Sequence, residues 1–190
     1  MPSILPFDEM NSFTERIRQQ FGKRNLAEEE NKQEEEEDII DEMLDLYLLA
    51  YAQGNSITNA NLSSDWMPPV DDVMKTVDEE VAGKTWRQRV EDYFSSGGTG
   101  DDLIRIVETE THRIANQAAF DTAKRAGATK KTWHCSMLPT SRDTHIYLDG
   151  VTAPIDGVFY SFKGGSTQFP GQWGIAEEDV NCLCWLTFDK

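Results

Sequence analysis

Four residues with acid, base and anion-binding chemistry, His134, Arg142, Asp143 and His145, fall within twelve positions of one another. A general base, a general acid and a guanidinium clamp are what a metal-independent nuclease requires. The same residues have a structural use: Asp143 can fix a turn, and His145 at the start of a strand can bond the backbone. No second carboxylate pair accompanies them, and Gly97-Gly98-Thr99-Gly100 lacks the lysine of a phosphate-binding loop, so it reads as a linker. A second chemistry is metal binding. Cys182 and Cys184 with His145 and either His134 or Cys135 supply the thiolate and imidazole donors that zinc prefers. The single residue between the cysteines is not the usual knuckle spacing, and buried free cysteines pack as small hydrophobes, so the expectation is a metal-free core with no required cofactor.

A third constellation lies on one helix. Glu110, Arg113, Asn116 and Gln117 are three or four residues apart and share a stripe. On a solvated face a Glu110–Arg113 pair contributes a few tenths of a kcal/mol. Buried, the same stripe is a network whose loss costs several kcal/mol. Both readings stay open at the level of sequence. With Arg142, Asp143, His145 and Asp149, these residues form the predicted structural network.

The element that must carry this stripe is a helix running from Asp101-Asp102, expected to cap it, to Gly127, which suits a left-handed C-cap. Leu103, Val107, Thr111, Ile114, Ala118 and Phe120 recur at helical spacing and predict a core element. After Gly127 the signals are those of strands: Lys131 to Met137, a hairpin of His145–Leu148 with Val151–Ala153 across Asp149-Gly150, Val158 to Phe162, and Asn181 to Phe188, expected to be buried on both sides. Before it, an amphipathic helix starts at Ile39 and is expected to end near Gly54. A loop follows over 55–70, then a helix capped by Asp71 or Asp72, and another led by Thr85-Trp86-Arg87. The fold class is α+β: an acidic, loosely held arm over 1–38, a helical segment over 39–100, and a compact strand-rich module over 101–190. Within the arm, Phe13, Ile17 and Phe21 mark a weak helix, and the glutamate run over 25–38 reads as solvated.

The 190 residues carry a net charge of -16, with 14 of the 34 acidic side chains in the first fifty positions. Such acidity argues against a dedicated nucleic-acid binder, although Lys124, Arg125, Lys130 and Lys131 allow a local contact with DNA. No apolar run is long enough for a membrane span and the first residues lack a signal-peptide pattern, so a cytoplasmic protein is expected. Three cysteines fit free thiols. Tyr47, Tyr51, Trp66, Trp86, Tyr93 and Phe94 are large amphipathic side chains on short helices and predict a partner-binding surface in the helical half.

The pattern as a whole resembles the phage head morphogenesis proteins related to the F protein of phage Mu, the minor head proteins. Thr109-Glu110-Thr111-His112-Arg113-Ile114-Ala115-Asn116 is similar to the helix signature of that family and Lys131-Thr132-Trp133 to its first strand. Arg142-Asp143-Thr144-His145, Leu148-Asp149-Gly150, Pro154, Phe159 and Pro170-Gly171 follow in the family's order. Where the family reads Cys-Arg-Cys, this chain has Cys182-Leu183-Cys184, which removes a basic side chain. The resemblance covers about residues 101 to 188. It implies a virion component, present in several copies, that binds the portal protein and capsid subunits during assembly in the host cytoplasm, without an established reaction. Related domains are joined to toxins, which gives the alternative of an effector enzyme, a nuclease or an NAD-dependent transferase using the Arg113 and His145 region. Glu177-Glu178-Asp179 reads as an exposed acidic run, and not as the spaced acidic pair that such a transferase would use.

Overall fold

A computed structural model describes residues 7–23 and 32–190, and side chains over 10–19 and 34–190. The expectations for residues 1–6 and 24–31, and for the Phe21 side chain, lie outside the described residues. The elements run α1 (Phe7–Lys23), α2 (Lys32–Leu62), α3 (Val70–Val77), α4 (Trp86–Ser96), α5 (Gly100–Arg125), β1 (Lys130–His134), α6 (Asp143–Leu148), β2 (Thr152–Pro154), β3 (Phe159–Tyr160), β4 (Ser166–Thr167), α7 (Ala176–Asp179) and β5 (Trp185–Asp189). Helices precede strands, and the chain is α+β.

The long helix α5 is the axis of the molecule. Its start is a capping box: Thr99 Oγ1 accepts the Asp102 amide, and Asp102 Oδ2 accepts the Thr99 amide at 3.1 Å. Asp102 therefore works from inside the first turn, and Thr99 is the cap that Asp101 and Asp102 were expected to be. At the other end Gly127 takes φ +80°, where a Cβ would be strained.

The first half of α5 packs into an apolar core with Phe13, Ile17, Met43, Tyr47, Val77, Trp86 and Val90. The α1 helix, expected as a weak helix in the arm, is part of this core through Phe13 and Ile17. Glu34 and Glu37 on the first turns of α2 remain exposed, as a solvated charge run should.

Helix α2 does not stop at Gly54. It continues two turns further because Gly54 faces α5 at close approach: a Cβ there would sit 2.3 Å from the Ala115 carbonyl oxygen. With Ala115 and Ala118 opposite, small residues let the two backbones meet. Asn55 and Asn59, expected in a loop, are buried in α2. They donate to the Trp66 carbonyl at 3.2 and 2.7 Å, and Asn55 also reaches Thr122 Oγ1 at 2.8 Å. Helix α3 is capped by Pro69 without a side-chain bond, so Asp71 and Asp72 act through their charge in its first turn.

Beyond α5, β1 is the central strand of an antiparallel sheet in the order β2-β1-β5, and β3 pairs with β4. Lys131, Trp133 and, just past the strand, Cys135 face a second core with Phe120, Leu148, Phe159, Phe169, Trp173 and Leu186. The expected strand at 145–148 is a helix, α6. Thr144, His145 and Leu148 are buried while Asp143, Ile146 and Tyr147 are exposed, a helical spacing and not an alternation. Asp149-Gly150 then returns the chain to β1, with the Gly150 amide on the Trp133 carbonyl at 2.8 Å. The last strand is also buried on one side only: Leu183 is 39% exposed, and Trp185 stacks at the surface on His134.

Candidate functional site

The predicted stripe on α5 is brought together by burial. Arg113 is 1% exposed. Its Nε donates to Glu110 Oε2 at 2.8 Å, its Nη1 to Gln117 Oε1 at 3.0 Å, and its Nη2 to the Thr76 carbonyl at 3.2 Å. Glu110 Oε1 accepts a second guanidinium, that of Arg89, at 2.6 Å, and Arg89 also holds the Val81 carbonyl. One carboxylate between two arginines thus ties α5 to α4 and to the turn after α3. The strand-rich module leans on the same place: Gly171, at φ +89°, is in a conformation that strains any side chain, and a Cβ there would press on Arg113 Cα at 3.1 Å. Beside it Gln172 donates to Glu79 at 3.1 Å.

Asn116 belongs to a different knot. Its Nδ2 donates to the Cys184 carbonyl at 3.1 Å and to the His112 carbonyl, and His112 Nε2 reaches the same Cys184 oxygen at 2.6 Å. Burial holds His112 below its ordinary pKa. That tautomer leaves His112 Nδ1 as a buried acceptor without a partner.

On the far side of Cys184 lies the thiol cluster. His145 Nδ1 is 3.6 Å from Cys182 Sγ and 3.4 Å from Cys184 Sγ. His145 Nε2 is 3.2 Å from Glu178 Oε2. Glu178 Oε1 is in turn held by Ser161 Oγ and by Thr144 Oγ1 at 3.3 Å. All four of these central side chains are 2% exposed or less. The Cys184 thiol beside it and the His145 ring hold the Cys182 thiol below its ordinary value, while the Cys182 sulfur and burial raise that of Cys184. Asp179 accepts the amides of Trp173 and Gly174 at 2.8 Å each, and burial pushes its carboxyl up to about 6.

The remaining predicted residues scatter. Arg142 clamps the Glu177 and Val180 carbonyls that close α7. Asp149 accepts the Cys135 amide at 2.9 Å. Asp143 is exposed on the first turn of α6, away from the thiol cluster. His134 points to the opposite face of β1, where its Nε2 meets Thr187 Oγ1 at 2.8 Å, so it joins neither the nuclease constellation nor the thiol cluster. Sequence reasoning missed Glu178, His112 and Arg89. The supposed exposed run at 177–179 hides two buried carboxylates, Glu178 and Asp179. The predicted partner surface is corrected too: Tyr47, Tyr51, Trp86 and Tyr93 are buried in the chain's own core, because α2, far longer than expected, and α4 lay their apolar stripes on α5. Trp66 and Phe94 are half-buried. Large exposed apolar side chains lie instead on the module, with Tyr147 and Phe162 in ring contact at 5.1 Å and 68% and 62% exposed. Among the described residues no helix is long and apolar enough to cross a membrane.

No family model matches the chain, and no solved structure does. Two curated proteins are similar over part of it. One is NAD(+)--arginine ADP-ribosyltransferase EFV of Enterococcus faecalis, 36% identical over 85 residues that make up 43% of this chain and 17% of that protein. The other is Minor head protein GP7 of Bacillus phage SPP1, 31% identical over 83 residues, 42% of this chain and 27% of that protein. The chain spans less than a third of either relative, and its similarity is to a phage head protein on one side and to a piece of a transferase on the other.

Proposed function

We propose that the chain is a minor structural protein of a phage head, of the Mu F-like kind, that binds portal or capsid subunits during assembly and assists DNA delivery. The observation that carries this reading is the 31% identity to the SPP1 minor head protein. The residue pattern of α5 and β1 supports it, while Leu183 between the two cysteines departs from it. In this reading the protein acts by contact, in several copies in the virion after assembly in the host cytoplasm, and no residue is assigned to catalysis. Its acidity favours a basic protein surface over packaged DNA, which leaves DNA as a minor contact. The docking surface we assign to the module, centred on Tyr147 and Phe162, since aromatic side chains left in solvent are the usual anchors of an interface.

The second reading, an effector with NAD-dependent transferase activity, is favoured by the 36% identity to the Enterococcus protein. Two relatives with unlike printed activities match over pieces of similar length, which fits a shared module better than a catalytic domain. Arg113 and His145, the residues this activity would use, are 1% and 2% exposed.

Co-expression of the full chain with the neighbouring portal subunit tests the first reading. The wild-type chain should be retained by the portal, and the Tyr147→Ser, Phe162→Ser variant should be lost from it. Failure of the wild-type chain to be retained by portal or capsid subunits overturns the reading. Release of nicotinamide from NAD by the purified chain, above the rate without protein, establishes the second.

A further inference from the structure

Nitrogen and sulfur converge at one buried point of the module in a way that hydrogen bonding alone does not satisfy. The donor atoms of His145, Cys182 and Cys184 lie within 4.8 Å of one another. A metal with zinc's bond lengths and tetrahedral angles would set each sulfur about 3.6 Å from the imidazole nitrogen. The observed separations are 3.6 and 3.4 Å.

The other ring nitrogen decides how the first is used. His145 Nε2 lies 3.2 Å from Glu178 Oε2, each otherwise unpartnered and neither aligned as a hydrogen bond; with the proton on Nε2, beside the carboxylate, Nδ1 turns a lone pair toward two sulfurs. One lone pair cannot serve two thiols. A cation between them satisfies all three donors at once. A carboxylate behind a ligating histidine is also the usual way that the ring's orientation and basicity are fixed. Glu178 is well placed for this, because Ser161 and Thr144 hold its second oxygen.

From this juxtaposition we propose that Cys182, Cys184 and His145 bind one zinc ion, with Glu178 as the residue that positions the His145 ring. The ion replaces the metal-free core expected from sequence. Its role is structural: the Cys–His–Glu row could be drawn as an activated nucleophile, but with every member at 2% exposure or less no substrate reaches it. The ion joins α6 to the lead into β5 and, through Glu178 behind His145, braces α7. The proposal goes beyond the assembly reading and does not depend on it, since retention by a portal is a separate measurement.

The test uses the full chain, purified without chelator or histidine tag, with zinc and cobalt as probes. Elemental analysis should find about one zinc per chain. Cobalt(II) loading should give a thiolate-to-metal charge-transfer band and the intense visible bands of tetrahedral coordination. Cys135→Ser separates the thiols: its bands should persist, and can then come only from Cys182 and Cys184. The double variant Cys182→Ser, Cys184→Ser should lose the charge-transfer band, and Glu178→Gln should weaken metal binding about 10–100-fold. A Cys135→Ser chain that is folded by circular dichroism, holds no zinc and shows no cobalt charge-transfer band overturns the proposal, even if the double variant does not fold.

Discussion

The helical half and the strand-rich module hold together by different physics. In the helical half, α1, α2, α3 and α4 lay aromatic and aliphatic side chains on α5, and the contact is close because glycine and alanine line it. The module has strands of only two to five residues, and its interior mixes aromatic rings with Lys131, His145, Glu178 and Asp179, each of them buried. Strands this short contribute few ladder bonds, so their positions are set by side chains that reach backbone carbonyls and amides. Lys131 is the plainest case: its Nζ lies 4.5 Å from the Phe120 ring centroid and donates to the Gly157 carbonyl at 2.7 Å, and burial lowers its pKa to about 8. Volume should therefore govern mutational sensitivity in the first region and polar pairing in the second, with Arg113 at the seam subject to both.

The largest effect tests the seam. Arg113→Ala leaves the Glu110 carboxylate buried with only Arg89 beside it and should cost about 3–5 kcal/mol in urea denaturation. A loss under about 0.5 kcal/mol, the range of ordinary surface changes, would show that the seam is not a network at all.

Within the helical half, Gly54→Ala should cost about 1–3 kcal/mol, because the added methyl meets a backbone oxygen that cannot turn away. If thermal unfolding shows the variant as stable as wild type, the two helices slide more freely than a volume-limited contact allows.

A third test concerns charge in the helical half. Asp121 faces a cleft of about 550 Å³ with Glu79 and Asp72, and burial, then Glu79, push its carboxyl up to about 6. A raised acid binds its proton more tightly in the folded state. Its contribution to stability is thus full below the unfolded value near 4 and is lost as pH rises through about 6. Asp121→Asn should flatten this part of the pH–stability curve and add on the order of 1 kcal/mol at neutral pH, after allowance for solvent screening. An unchanged slope between pH 4 and 6 would remove Asp121 from the account.

The smallest effect on stability is expected at the module surface. Tyr147→Ser with Phe162→Ser should change unfolding free energy by about 0.5 kcal/mol or less, since both rings already face solvent. A loss of 2 kcal/mol or more, again on the order of a core change, would mean the pair supports α6 and is not held for a partner.

The difference between the regions also explains what could be read from sequence. Helix α5 was legible from Leu103 to Gly127 because its signals are local: a periodic apolar face, a cap before it and a glycine after it. The extra turns of α2 were not, since Gly54 has the composition of a stop and only the opposite helix gives it another purpose. In the site, residue chemistry alone nominated His145, Cys182 and Cys184. Glu178 was hidden in an acidic run whose burial depends on His145 far back in the chain, a contact that no local pattern encodes. His145 reads as strand in the sequence because Asp149-Gly150 suggests a hairpin, while the turn hands the chain from α6 to β2, beside β1.

The placement of β5 has a kinetic consequence. Strand β1 lies in the middle of its sheet, yet its partner on one side is the last element described, paired from Lys130 with Asp189 to His134 with Trp185. During synthesis the helices can pack together once α5 has emerged, since α1 to α4 all precede it in the chain. Over the same interval β1 has one open edge, and Trp133 lacks the Leu186 side chain opposite it. Long-range pairing of this kind slows folding. The newborn chain therefore passes through a stage in which the helical half is formed and the module is an unpaired, aromatic-rich edge, the stage most exposed to aggregation or to capture by a chaperone.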